Sequence, residues 1–94
     1  MPRKTLAEEL YSETEETPEE EDVKWLLLYD FKEMKPHTNF WTNLSRLTAL
    51  GGRSRLIQYS AFVTDNKRIV KSAKELAEHY GASTEVFRGQ QAEL

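Results

Sequence analysis

Trp25-Leu26-Leu27-Leu28-Tyr29-Asp30-Phe31 and Leu56-Ile57-Gln58-Tyr59-Ser60-Ala61-Phe62-Val63 are the two apolar runs around which this 94-residue chain is organised. In the first, residues 25, 27, 29 and 31 share one face of an extended chain and Leu26 and Leu28 the other. Both faces are apolar until Asp30, which is the pattern of an interior strand. A run that stops on a carboxylate puts that carboxylate at the mouth of a sheet, where it can hold a hard divalent cation or meet its own copy across a dimer axis. The second run is rich in β-branched and aromatic residues and too short for a good helix. It reads as a strand, or as two short strands divided near Tyr59.

Between the runs, Lys32 to His37 form a polar stretch in which Pro36 marks a boundary, so a helix starts near Thr38 or Asn39. Phe40, Leu44 and Leu47 make its apolar stripe, with Trp41 and Thr48 beside them, and Gly51-Gly52 end it. After the second run, Asp65 or Asn66 caps another helix. Ile69, Ala73, Leu76, Ala77 and Tyr80 form its buried face, Lys67, Lys71, Lys74, Glu75 and Glu78 its solvated side, and Gly81 its stop. Thr84 to Arg88 can form a last strand. The order βαββαβ is that of an α+β, ferredoxin-like domain, an antiparallel sheet with two helices on one face. Phe40, Trp41, Phe62 and Phe87 are assigned to its core, because aromatics at strand or helix spacing usually serve burial.

Charge divides the chain. The formal net charge of −3 is the balance of −7 in residues 1–22 and +4 in residues 23–94. Two segments follow: a disordered acidic leader over 1–22, whose composition buries too little apolar surface to offset ordering, and the ferredoxin-like domain over 23–94. Within the leader, Leu6 and Leu10 lie one turn apart and, with Tyr11, could share a short helix. The mild positive excess of the domain permits a phosphate-bearing partner. The absence of cysteine removes disulfides, thiol nucleophiles and cysteine zinc sites. His37 and His79 have no ligand spacing around them; His37 reads as a solvated loop residue and His79 as a complement to a helix dipole. Neither a bilayer-spanning run nor the apolar core of a signal peptide is present in the sequence, so the expectation is a cytoplasmic protein without a membrane partner.

Leu27-Leu28-Tyr29-Asp30, a helix closed by Gly-Gly, and Ile57-Gln58-Tyr59-Ser60-Ala61-Phe62 followed by a second amphipathic helix together resemble the small CRISPR-associated Cas-two family. The likeness covers roughly residues 24–88 in order and spacing, and its most specific piece is the Gln-Tyr-Ser-x-Phe run. The resemblance implies a ferredoxin-like homodimer that binds DNA or RNA and joins integrase subunits in the spacer acquisition of antiviral defence. It also implies a metal-dependent endonuclease activity in some members. By position, Asp30 would be the catalytic and metal-binding residue, holding Mg2+ or Mn2+ with its symmetry mate, while Tyr29, Gln58, Tyr59, Ser60 and Phe62 form the strand-end motif around it. Magnesium binds through one or two carboxylates plus waters and phosphate oxygens, so such a shared site is chemically sound. Two departures point to weak or absent catalysis. Lys32 to Asn39 contains no arginine, and the arginine usual before the Gln-Tyr-Ser run is displaced from Leu56 to Arg55.

Other readings of the same residues stay open. Asp30 at a strand end can equally be a turn former that bonds nearby backbone amides. Arg53, Arg55, Lys67 and Arg68 flank the second strand and are candidate nucleic-acid contacts, or simply solvated surface. A VapD-like endoribonuclease toxin would use the same fold and aspartate. A non-enzymatic RNA-binding module would stack bases on its sheet, but needs aromatics two apart, whereas Tyr59 and Phe62 are three apart.

Overall fold

Four strands pair in the order β2-β3-β1-β4, where β1 is Lys24–Asp30, β2 Ser54–Gln58, β3 Ala61–Thr64 and β4 Ser83–Gly89. These assignments come from a computed structural model that describes residues 5–14, 23–32, 38–50, 54–58, 60–90 and 92. β1 takes the interior place that its two apolar faces require, antiparallel to β3 with Leu27 opposite Phe62 and antiparallel to β4 with Leu27 opposite Val86. The second apolar run is a hairpin: β2 pairs with β3 antiparallel, Leu56 opposite Phe62, with an irregularity between Leu56 and Gln58. Among the described residues the fold is α+β, a four-stranded antiparallel sheet with three helices, and is compatible with a small ferredoxin-like domain.

The odd-numbered face of β1 carries the core. Leu27, Tyr29 and Phe31 are buried there, joined by Phe62 from β3 and, half-buried, by Trp25 and Val86. Against them lie α2 (Thr38–Thr48), through Phe40, Leu44 and Leu47, and α3 (Lys67–His79), through Ile69, Val70, Ala73, Leu76 and Ala77. Full burial of side chains such as Phe40, Phe62, Leu47 and Ile69 stabilises the fold by roughly 1.5–3 kcal/mol each. Asn66 caps α3 by accepting from the Ile69 amide at 3.1 Å. At the other end Gly81, at φ 93°, lets its own amide reach the Glu78 carbonyl and the Ala82 amide reach that of Ala77, both at 3.0 Å. That left-handed closure is cheap only for a residue without a side chain.

Two expectations change here. The leader is not uniformly solvated: Leu6–Glu13 form a helix, α1, started by a Thr5 cap, and Ala7 is fully buried with Leu6, Leu10 and Tyr11 packed on the core. Residues 5–14 therefore belong to the packed unit, and the acidic stretch 15–22 lies outside the described residues. α1 sits on α2 and α3, which explains why Asn43, Val70 and Ser72 are buried in addition to the expected stripes. The second correction is Phe87. It is 51% exposed, because it pairs with Leu26 on the even-numbered face, away from the helices.

Candidate functional site

Asp30 closes β1 as an exposed residue opposite Ser83. Its Oδ1 accepts the Lys32 amide at 2.7 Å, and Lys32 takes φ 58°. This is the turn that an aspartate makes by bonding the backbone two residues on. One carboxylate oxygen thus serves the turn. No group of three or more histidine, cysteine or acidic side chains suited to a metal occurs among the described residues. Glu85, opposite Leu28, is the acidic residue diagonal to Asp30 on the same sheet face.

The motif residues beside it assemble as the second run's strand character demands. The Tyr29 amide donates to the Ser60 carbonyl at 3.0 Å, Phe62 faces Leu27 across the β1–β3 pairing, and the Ser60 side chain is exposed. Tyr59 and the side chain of Gln58 lie outside the described residues. Tyr29 itself is core, with 2% of its surface exposed. Its ring meets Phe31 and Phe40 edge-on, at 5.9 and 5.3 Å between centroids. No hydrogen-bond partner reaches its buried hydroxyl. Burial pushes the phenol up to about 12, because the phenolate would lose its hydration.

The basic candidates gather at the opposite end of the sheet, where β1 begins. Arg55 sits opposite Val63 near the end of β3 and is exposed. Arg68 is committed to α1: its Nε donates to the Tyr11 carbonyl at 2.9 Å and to Thr14 Oγ1 at 3.2 Å, and its guanidinium lies 3.9 Å from the centre of the Tyr11 ring. Lys67 is exposed at the start of α3, with Nζ 5.7 Å from the centre of the Trp25 ring. Arg88, which sequence reasoning did not select, lies 5.8 Å from the same ring. Arg53 lies outside the described residues.

Trp25 and Asp30 lie five positions apart on β1, roughly 17 Å at the usual rise of a strand. The structure therefore does not bring Asp30 together with Arg55, Lys67 and Arg68. It brings Lys67, Trp25 and Arg88 together instead. The pairing of Trp25 with Arg88 depends on the β1–β4 register, and that of Trp25 with Lys67 on the turn after Thr64, so strand alternation alone carries no signal for either.

Among the described residues, no helix lies on the even-numbered sheet face. Leu26, Leu28, Ala61 and Val63 are half-buried there and Phe87 is exposed, with Lys24, Arg55 and Glu85 at the margin. Among the described residues no helix is long and apolar enough to cross a membrane. No protein-family model matches the chain, and neither a curated protein nor a solved structure matches it.

Proposed function

We propose that the chain is a ferredoxin-like, homodimeric nucleic-acid-binding protein of the Cas-two type, serving spacer acquisition as a scaffold beside an integrase subunit rather than as a nuclease. The observation that carries the non-enzymatic part is the separation of Asp30 from the basic residues, together with its bond to the Lys32 amide. Hydrolysis needs the metal carboxylate and the cations that grip the phosphates to converge on one bond. A scaffold needs only the cations. The strand order β2-β3-β1-β4 supports the fold part of the reading. The aliphatic even-numbered face suits a second copy of the chain better than stacked bases, since Phe87 is the one aromatic among its described side chains.

The test is incubation of the protein with Mg2+ or Mn2+ and short single- and double-stranded DNA and RNA, beside Asp30→Ala. Intact substrates with binding that survives both chelation and the substitution are the expected result. Cleavage that Asp30→Ala abolishes would replace the scaffold with an enzyme, and cleavage confined to RNA would select the VapD-like endoribonuclease.

A further inference from the structure

We infer that the open face of the sheet packs on the same face of a second copy with the strands reversed, so that Lys24 of each copy pairs with Asp30 of the other. The inference rests on the homodimer reading above, gives that contact its orientation, and gives Asp30 a role that needs no metal.

Strand register sets the rows of side chains across this face. Lys24 stands opposite Gly89; next, Leu26 lies between Val63 and Phe87, with Arg55 beyond Val63; then Leu28 lies between Ala61 and Glu85; last, Asp30 stands opposite Ser83. The cations therefore occupy the first two rows and the carboxylates the last two, with Leu26, Leu28, Ala61, Val63 and Phe87 filling the middle. Lys32, the next cation along, lies past the turn and not on the paired strands. Lys24 and Asp30 are six positions apart on β1, roughly 20 Å, too far to pair within one copy.

Packed sheets keep their strands within about 30° of a common line, so a twofold axis between two such faces runs either across the strands or along them. An axis along the strands sets Lys24 over Lys24 and Asp30 over Asp30, like charge on like. An axis across them reverses β1 and carries its positive end over the negative end of the second copy, twice by symmetry. Charge selects the second arrangement, because juxtaposed like charges are costly at an interface and opposite ones fix its register. Asp30 is prepared for this pairing. Its Oδ1 bonds the Lys32 amide at 2.7 Å, so the carboxylate gives up little freedom when a lysine arrives, and freedom lost is what usually cancels a surface ion pair. A phosphate backbone on this face would meet the two carboxylates, whereas a second copy brings them cations.

Lys24→Gln and Asp30→Asn each remove one charge, and the side-chain carbonyl left by Asp30→Asn can still accept the Lys32 amide. Sedimentation equilibrium over a range of concentrations is expected to show a dimer of the unaltered chain, alike in EDTA and in Mg2+. Each variant should raise the dissociation constant roughly three- to thirtyfold, since both symmetry-related pairs go at once. Lys24→Glu, which sets carboxylate against carboxylate, should raise it by about a hundredfold or more. Lys67→Gln, on the helix side of the sheet, should leave it unchanged. Circular dichroism and thermal melts verify that each chain is folded. The arrangement with like over like predicts the opposite sign, because both neutral variants would relieve repulsion and tighten the dimer. Tightening or no change in the folded variants, or a dimer that forms only with Mg2+, would overturn the pairing and leave the homodimer standing. A monomeric unaltered chain would overturn both.

Discussion

Tyr29 is the residue whose local chemistry is most out of balance, because it places a hydroxyl in the core without a partner. An unpaired buried polar group costs about 1–3 kcal/mol in lost hydration. Tyr29→Phe keeps the ring contacts with Phe31 and Phe40 and should leave stability unchanged or raise it by up to about 1 kcal/mol in urea unfolding. The phenol also sets an alkaline limit. Its folded value of about 12 exceeds the ordinary phenol value of 10.0, so the neutral form is the one the fold favours. That contribution is complete below pH 10 and is lost as pH rises to about 12, by roughly 2–3 kcal/mol at 1.36 kcal/mol per tenfold. Melting temperature followed across that range should fall more steeply in the unaltered protein than in Tyr29→Phe. Parallel curves would mean that the hydroxyl is not buried in solution. Asp30 is the contrasting residue, since its acceptor meets an amide through a local turn.

At the scale of elements, α1 depends on polar groups that its own sequence does not supply. Asn43 of α2 is buried, and its Oδ1 accepts the Ala7 amide at 3.0 Å while its Nδ2 donates to the Asn39 carbonyl at 2.8 Å. Ala7 lies in the first turn of α1, where helix amides lack a partner within the helix. Asn43 supplies one, and Arg68 ties down the other end of α1 through the Tyr11 carbonyl. Asn43→Ala should therefore destabilise the fold by about 1–3 kcal/mol, as a buried amide loses its acceptor. Hydrogen exchange should accelerate over Leu6–Glu13 more than over α3. Equal protection of both segments in the variant would show that apolar packing alone holds α1. The caps of α3, by contrast, are local: Asn66 before it and Gly81 after it were both legible in the sequence, because each acts on backbone within a few residues.

For the whole molecule, the open sheet face bears on assembly. Exposed Phe87 with half-buried Leu26, Leu28 and Val63 leaves apolar surface on the side away from the helices, and a twofold contact would cover the same patch on both copies. Phe87→Lys places charges at that contact. Sedimentation equilibrium at micromolar concentration should give a dimer for the unaltered chain and a monomer for the variant, with the circular dichroism of the two alike. A monomer in both cases would remove the homodimer and weaken the Cas-two reading. The acidic character of residues 1–22 was legible from composition, but the packing of 5–14 was not. Leu6, Leu10 and Tyr11 make too short a stripe to declare a helix without the surfaces of α2 and α3 that receive it.

By itself the sequence determined the alternation of strand and helix, the interior place of β1, the buried stripes of α2 and α3, and the capping residues. All of these follow from side-chain periodicity and from backbone bonds between near neighbours. Only the tertiary structure decided that Phe87 faces outward, that Arg68 serves α1, and that Lys67 and Arg88 meet on Trp25 at the end remote from Asp30. Those outcomes depend on strand register and on which helix covers which face, and residues far apart in the chain settle both.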